Sequence, residues 1–373
     1  MAQPRFGIEE EYFLTDLTTR RMVGSPEPRV IKACRAALGS AFATEMFQGQ
    51  IEVASPIFSD FIEAEDYLRN ARARLINAVQ PFDLGLLCAG SHPLADWREQ
   101  LATDEAHFQH LFKTYGHVAR RSVLCGLHVH VEVTASVDRV RVMNEVLPWT
   151  PLLLALSCSS PLWDGADSGF MSYRQTYCDQ WPRMGIAPLF ADQHEYDEHV
   201  ALLTRIGAIT QPCECWWGVR PAARFPTLEL RMTDACPRVE DALALAAFFR
   251  ILVAHASAQA RPGSTYDPTA RTILEENRWR AKRWGIHGRF IVEGVDDACT
   301  IEQWLALAEH RFGETAHALL LPGLFARLRE IITNGSSADR QLAAFGQVLQ
   351  QPRSKRSALF HVADLLLEET AAV

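Results

Sequence analysis

The chain alternates between segments with a two-residue hydrophobic period and segments with helical spacing. Alternation of apolar and polar residues predicts β-strands, because successive side chains on a strand point to opposite faces of a sheet. This pattern predicts strands at residues 5–14, 48–54, 84–89, 123–133, 216–220 and 227–233. Longer segments lie between most of them, which leaves room for helices.

Apolar residues at helical spacing fill most of these intervening segments. They predict helices at residues 27–38, 60–79, 104–115, 137–156, 195–206, 239–260 and 269–284. Further helices at residues 300–312, 324–333, 337–349 and 355–370 predict a helical C-terminal part from about residue 286 to residue 373. No internal repeat or low-complexity segment divides the chain. We therefore expect one mixed α and β domain over residues 1–373.

Composition excludes several classes of protein. The 373 residues are 48% hydrophobic and 22% charged, which is typical of a chain with a globular core. A formal net charge of −8 disfavours a nucleic-acid partner, which needs a positive surface. None of the lysines follows a glycine, so the chain has no Walker-type phosphate loop. No glycine-rich dinucleotide fingerprint follows a predicted strand, which disfavours a nicotinamide enzyme.

Targeting and membrane signals are weak in this sequence. The N-terminus becomes acidic at once and shows no secretory signal. The most apolar windows contain prolines, or Arg250 and His255, so we expect no membrane partner. Nine cysteines without a Cys-x-x-Cys pair favour reduced thiols in a cytoplasmic protein. A homo-oligomer, most often a dimer, is the general expectation because dimers are common among soluble proteins.

Four predicted strands carry charged or imidazole side chains on one face only. At residues 5–14, Glu9 and Glu11 share one face, whereas Ile8 and Tyr12 take the other. The same rule places the following side chains on polar faces of the other three strands: Glu52, His128, His130, Glu132, Glu229 and Arg231.

Joining these strands in one sheet would bring carboxylates together around His128, with Arg231 beside them. Crowded carboxylates repel one another, so the arrangement predicts a bound divalent metal. Oxygen-rich ligation with one imidazole suits Mg²⁺ or Mn²⁺ better than zinc. The predicted metal ligands are Glu9, Glu11, Glu52, His128 and Glu229.

Two other interpretations of these residues stay open at this point. The solvated face of an antiparallel sheet shows the same alternation, and for any single strand this is the simpler interpretation. The pair His128 and His130 also fits zinc or iron ligation in a metal-dependent hydrolase. For His130 and Glu132, a supporting role fits as well as direct ligation.

Several segments together resemble the carboxylate-amine ligase family, also called glutamate-cysteine ligase type 2, in the glutamine-synthetase superfamily. The resemblance runs over most of the chain. The segments that carry it are GIEEEYFL (7–14), IEVASP (51–56), AGSHPLADW (89–97), GLHVHV (126–131), LSCSSPLWDGADSGFMSYR (156–174), VRPAARFPTLELRMTDACP (219–237) and ENRWRAKRWG (276–285).

The resemblance implies an α+β fold in which helices flank a curved, mainly antiparallel sheet that holds nucleotide and metal ions. It implies an ATP-dependent ligase that joins a carboxylate, most simply that of glutamate, to an amine through an acyl phosphate. ATP and Mg²⁺, or Mn²⁺, would be required. The matching acids and His128 would hold the metal, and Arg231 would face the transferring phosphate. Further candidates for binding substrate or nucleotide are Arg174, Arg220, His130, Asn277 and Arg278.

The amine half of the reaction is less defined than the ATP half. Cysteine is the reference amine of the family, yet this chain has Gly218 where an acid is common and Glu132 where a glycine is common. Glu52 and Glu132 are candidate bases for the amine proton. Besides the ligase, we keep two alternatives: a hydrolase that uses His128 and His130, and a non-catalytic binding or regulatory protein on the same fold.

Overall fold

The computed structural model describes residues 3–259, 268–295, 297–350 and 354–372, and it places an antiparallel sheet among many helices. Every strand pair in the described residues is antiparallel, which confirms the predicted α+β class. The strands are β1 Phe6–Asp16, β2 Phe42–Thr44, β3 Gln50–Ala54, β4 Leu84–Leu87, β5 Leu127–Glu132, β6 Leu162–Trp163, β7 Ala166–Asp167, β8 Val219–Pro221 and β9 Thr227–Leu230.

Seven of these strands form one sheet in the order β2-β3-β1-β5-β9-β8, and β4 pairs with the C-terminal half of β1. Strand β1 is central because its eleven residues are long enough to pair with three neighbours. The short strands β6 and β7 form a separate two-stranded sheet. Since β3, β1, β5 and β9 are adjacent, their polar faces meet as the sequence pattern predicts.

The helices surround this sheet, and polar caps fix several of their starts. Asp60 accepts hydrogen bonds from the backbone of Ile62 and Glu63, which satisfies free N–H groups at the start of the helix Phe61–Val79. Thr300 and Gln303 form a reciprocal capping box at the start of the helix Ile301–Ala318. The helices are α1 Pro28–Leu38, α2 Phe61–Val79, α3 Ala106–Arg120, α4 Arg139–Val146, α5 Thr150–Ser157, α6 Tyr173–Cys178, α7 Gln193–Arg205, α8 Val239–Gln259, α9 Pro268–Trp284, α10 Ile301–Ala318, α11 Leu324–Asn334, α12 Ser337–Leu349 and α13 Lys355–Ala371.

The apolar face of the sheet forms the core. Ile8 on β1, Val129 and Val131 on β5, and Leu230 on β9 are buried against residues of α4 and α8. A second cluster packs the β3 and β4 end of the sheet against α1, α2 and α13. The helices therefore cover one face by hydrophobic burial and leave the acid-bearing face for chemistry.

Some predicted elements differ from the structure. The helix predicted at residues 137–156 is two helices, α4 and α5, because Pro148 and Pro151 interrupt the backbone hydrogen bonds between them. The helix predicted at residues 104–115 runs to Arg120, with a kink at Gly116, whose φ is 53°. The strand predicted at residues 123–133 begins only at Leu127. The short elements β2, β6, β7 and α6 were not predicted.

The C-terminal part is helical from Ile301 onward but not from residue 286. A short 3-10 turn at Gly285–His287 follows the preceding helix, and Phe290 then forms an antiparallel β-bridge with Cys299. Helix α13 then packs on β4, where Thr370 accepts a hydrogen bond from the backbone N–H of Cys88. The helix predicted at residues 239–260 corresponds to α8, and its predicted last residue, Ala260, lies outside the described residues.

Helix α8 is long and apolar enough to cross a membrane, judged by length and composition alone. It is the single helix of this kind in the described parts of the chain. In its most apolar window, 83% of the residues are buried inside the protein. The core helix of a globular domain has the same character.

Candidate active site

The register of the sheet brings the predicted polar side chains onto one face. Glu11 on β1 lies opposite Glu52 on β3, and Glu9 lies opposite His128 on β5. His130 in turn lies opposite Glu229 on β9. Three strand pairings therefore place acids and imidazoles side by side, and we call this surface the acid face: Glu9, Glu11, Glu45, Glu52, His128, His130, Glu229 and Arg231.

Glu9, His128 and Glu229 form the first potential metal-binding group, with ligand atoms within 4.8 Å of one another. His128 Nδ1 lies 3.3 Å from the Glu9 carboxylate, and His130 Nε2 lies 3.4 Å from it. Burial raises the pKa of Glu9, but the two imidazoles outweigh burial and hold this pKa well below its usual value. Burial and the nearby Arg231 charge lower the pKa of His128. The buried Nε2 atom of His128 makes no hydrogen bond and lies 3.5 Å from a carboxylate oxygen of Glu11, so it is available as a ligand.

Glu11, Glu45 and Glu52 form a second group, again with ligand atoms within 4.8 Å. Burial, followed by the charges of Glu45, Glu9 and Glu11, raises the pKa of Glu52 well above its usual value. Burial also raises the pKa values of Glu11 and Glu45. Three carboxylates in this group therefore resist ionising together unless a cation joins them.

Glu45 is the acid that sequence reasoning missed. It follows β2 directly, and Ala43 on that strand lies opposite Glu52. Alternation along the chain puts Glu45 on the same face as Ala43, so recognition of β2 would have identified it. A three-residue strand gives too few positions for the hydrophobic pattern to reveal it.

Two arginines hold Glu229. Arg220 Nε and Nη2 donate to its two oxygens at 2.8 and 3.2 Å, and Arg231 Nη1 donates at 2.5 Å. Burial raises the pKa of Glu229, but the charges of Arg231 and Arg220 outweigh it and lower this pKa strongly. Arg220 Nη1 also donates to the carbonyls of Cys213 and Cys215. The hydrogen bonds of Arg220 all go to protein atoms. These contacts favour a positioning role over the substrate-binding role predicted from the sequence.

Arg174 lies next to the acid face, and its guanidinium also donates hydrogen bonds to protein atoms. Its guanidinium donates to the backbone carbonyls of Thr233 and Arg231. A Cβ atom at Gly126 would lie 2.2 Å from Arg174 Nη2 and 3.0 Å from His128 Nε2. Glycine at this position is what allows Arg174 to pack against the strand that carries His128.

A buried carboxylate that the sequence did not single out holds the Arg174 region. Asp234 accepts hydrogen bonds from the Ser160 and Ser172 hydroxyls and from the Ser159 backbone N–H. Arg174 Nη1 lies 3.8 Å from it. Burial raises the pKa of Asp234. Asp234 thus joins the 159–174 segment to the end of β9.

The remaining candidates make contacts that do not involve the acid face. The Asn277 side chain bonds both the N–H and the C=O of Ile291, and Arg278 bonds Gln175 and Asp179. These contacts favour structural roles for both residues. The candidate base Glu132 pairs with Arg5, which lowers the pKa of Glu132 and favours its charged form.

Comparison with known proteins decides the family. The model of "Glutamate-cysteine ligase family 2 (GCS2)" matches residues 5–358, which include the whole acid face. The chain belongs to this family. Two relatives carry the provisional name glutamate–cysteine ligase 2. The Pseudomonas fluorescens protein is 54% identical over 99% of this chain and 95% of its own length. The Ectopseudomonas mendocina protein is 44% identical over 99% of this chain and 98% of its own length.

Solved structures of low sequence identity share the fold of this family member. The glutamate–cysteine ligase of Francisella tularensis, solved with AMP, has a TM-score of 0.72 at 12% identity, covering 100% of this chain and 90% of its own. A bifunctional glutathione synthetase from Pasteurella multocida has a TM-score of 0.73 at 17% identity, covering 99% of this chain and 53% of its own. These likenesses support the glutamate–cysteine ligase fold. Family membership favours the ligase over the hydrolase and the binding protein.

Proposed function

We propose that this protein is an ATP-dependent ligase that joins the γ-carboxylate of glutamate to an amine through an acyl phosphate. One observation carries the proposal: two potential metal-binding groups lie next to each other on one sheet face, and Arg231 donates a hydrogen bond to Glu229 in the first of them. Such a face suits a nucleotide whose phosphates need charge neutralisation.

The donor atoms fit hard divalent cations. Glu9, His128 and Glu229 would hold one ion, and Glu11, Glu45 and Glu52 would hold another. Five carboxylates and a single imidazole favour Mg²⁺ or Mn²⁺. Two observations support this fit. The buried His128 Nε2 has no hydrogen-bond partner, and a bound cation would give it one. The pKa of Glu52 is raised, and a nearby cation would favour its charged form. When bound, such ions would supply positive charge that neutralises the phosphates of ATP.

Activation is required because a carboxylate oxygen is a poor leaving group. In the proposed first step, a glutamate γ-carboxylate oxygen attacks the γ-phosphorus of ATP. The bond from that phosphorus to the β–γ bridging oxygen breaks, and ADP leaves with its electrons. Arg231, whose side chain keeps 22% exposure, is placed to stabilise charge on the transferring phosphoryl group.

In the second step, the amine nitrogen attacks the acyl carbon, the bond from that carbon to the phosphate-bearing oxygen breaks, and inorganic phosphate leaves with the proton that the nitrogen loses. Glu52, considered from sequence as a base for this proton, sits within the second metal-binding group, and we assign it there. We infer glutamate as the substrate from the names of the relatives, and ATP as the nucleotide from the structure solved with AMP. Cysteine is the amine that those names imply.

ADP release by the purified chain tests the proposal. With Mg²⁺ and ATP, we expect ADP only when glutamate and an amine are both present, and EDTA should abolish it. Glu52→Gln should reduce the rate at least about 100-fold, because it removes a charged ligand from the second group. The matched control Glu63→Gln changes an exposed glutamate at the start of α2 and should leave the rate unchanged. Glutamate-independent ADP release would contradict the proposal.

A further inference from the structure

Three aromatic side chains and one arginine form a cluster that the proposed chemistry does not yet use. Tyr115 comes from α3, Trp181 and Arg183 from the loop after α6, and Trp216 from the segment before β8. The ring centroids are 4.9 Å apart for Tyr115 and Trp181, and 5.5 Å apart for Trp181 and Trp216. Tyr115 and Trp216 meet edge-on at 5.7 Å. We call these four residues the aromatic cluster.

The aromatic cluster is joined to the acid face by a short chain of hydrogen bonds. The N–H of Arg231 donates to the carbonyl of Gly218, whose own N–H donates to the carbonyl of Gly185. Gly185 is two residues after Arg183. The loop that carries Arg183 therefore bonds directly to Gly218, which in turn bonds to Arg231 just after the end of β9. The backbone that carries Arg183 and Trp216 therefore lies next to the backbone of Arg231.

Side-chain contacts confirm this closeness. Arg220, which holds Glu229, donates to the carbonyls of Cys213 and Cys215, and Arg183 Nε donates to the carbonyl of Glu214 between them. The two guanidinium groups therefore bind carbonyls of the same three residues, 213–215. Both of their charges oppose the rise in pKa that burial causes at the Cys215 thiol.

Arg183 has the features of a residue kept for binding. Its φ of 59° lies in the left-handed region, which costs a non-glycine residue about 1 kcal/mol and is concentrated at functional sites. Its Nη2 donates to the Tyr115 hydroxyl at 2.8 Å, and its guanidinium lies 5.7 Å from the Trp216 ring. Nη1 donates no hydrogen bond to any of the described residues. The half-buried guanidinium therefore keeps one face for a further acceptor.

We propose that the aromatic cluster is the amine subsite of the ligase, and that its amine is an amino acid with a large apolar or aromatic side chain. This inference rests on the proposed function. The α-carboxylate of the amino acid would pair with Arg183 Nη1, and its side chain would pack against Trp216 and Tyr115. Trp181 is buried, with its indole N–H bonded to Ser122, and it supports the other two rings.

The chemistry of the cluster disfavours other classes of amine. A cysteine side chain is small and leaves most of the ring surface uncovered, whereas a phenyl group buries much more apolar area there. A diamine would bring a second cation towards the guanidinium of Arg183, which already occupies the cation–π position over Trp216. An arginine prefers a carboxylate as its partner, because the two groups match in charge and geometry.

The test measures kcat/KM for ADP release by the full chain with Mg²⁺, ATP and glutamate. The amines are L-phenylalanine, phenethylamine, L-cysteine and 1,4-diaminobutane. Phenylalanine should exceed cysteine by about tenfold or more, since aromatic packing and burial are worth over 1 kcal/mol. Diaminobutane should be the poorest amine. Phenethylamine lacks only the carboxylate of phenylalanine, so it isolates the contribution of Arg183.

Variants separate a binding subsite from a structural cluster. Trp216→Ala should raise KM for phenylalanine about tenfold, with KM for glutamate and ATP unchanged. Arg183→Gln should remove the advantage of phenylalanine over phenethylamine. Trp279→Ala, at an exposed indole on α9, is the matched control and should change none of these constants.

Turnover with cysteine or diaminobutane as the best amine would overturn this inference and leave the ligase intact. The same holds if both variants keep the wild-type KM for phenylalanine. Absence of glutamate-dependent ADP release with every amine would overturn the proposed function and, with it, this inference.

Discussion

Removing one acid from the second metal-binding group should stabilise the metal-free protein. The ligand oxygens of Glu11, Glu45 and Glu52 lie within 4.8 Å of one another. At that distance and an effective dielectric constant of about 20, each pair of ionised carboxylates repels by roughly 3 kcal/mol. Proton uptake relieves part of this repulsion. Glu52→Gln should therefore raise the free energy of unfolding by about 1–3 kcal/mol in EDTA near pH 7.5.

The pH dependence of this gain follows from the direction of the shift. The pKa of Glu52 is higher in the folded protein than in the unfolded chain, where it is about 4. The folded state is penalised as pH rises above the unfolded value, and the penalty is complete above the folded pKa. The stabilising effect of Glu52→Gln should therefore grow from about pH 4 upward and disappear below it.

Thermal unfolding with and without Mg²⁺ measures the effect. In EDTA at pH 7.5, Glu52→Gln should melt about 1–4 °C above the wild type, and Glu63→Gln should melt at the wild-type temperature. In saturating Mg²⁺ the wild type should gain about 3 kcal/mol at a hundred times the dissociation constant, and the variant should gain less. A metal-free Glu52→Gln protein that melts below the wild type would refute the assignment of these acids as a strained metal-binding group.

Three further substitutions have defined outcomes. Arg231→Ala should lower kcat for ADP release about 100- to 1,000-fold with little change in KM for glutamate; an unchanged kcat would remove Arg231 from the phosphate. Gly126→Ala should lower the rate at least about tenfold, because its Cβ would displace Arg174 and crowd His128; a wild-type rate would show that the site tolerates the shift. Glu10→Gln should cost about 3–5 kcal/mol in unfolding experiments, with or without Mg²⁺, because it breaks the buried pair with Arg72. A Mg²⁺-dependent loss would contradict that structural role.

Most of the acid face could be predicted because it depends on strand periodicity. A two-residue period fixes which side chains share a face without any knowledge of register, so Glu9 and Glu11, His128 and His130, and Glu229 and Arg231 were grouped correctly within their strands. The order of the strands, which the pattern does not contain, then decided which acids became neighbours. The structure supplies that order through the pairings of β1 with β3 and β5.

The parts that sequence reasoning missed depend on short elements and long-range contacts. Glu45 follows a strand of only three residues. The hydrogen bonds of Arg174 and Arg220 to backbone carbonyls could not be read from the sequence, because every residue carries a carbonyl; their binding roles stay predictions. Asp234 accepts hydrogen bonds from serines that lie 62 to 75 residues before it in the sequence. Tertiary contacts of this kind leave no periodic trace.

Transfer of oxygen from glutamate to phosphate tests the central claim most directly. The purified chain would be incubated with Mg²⁺, ATP, an amine and glutamate carrying ¹⁸O in its γ-carboxylate. Attack of that carboxylate on the γ-phosphorus leaves the labelled oxygen on the phosphoryl group when the amine displaces it. The account predicts one ¹⁸O atom in each inorganic phosphate released. Release of ADP with unlabelled phosphate would contradict it.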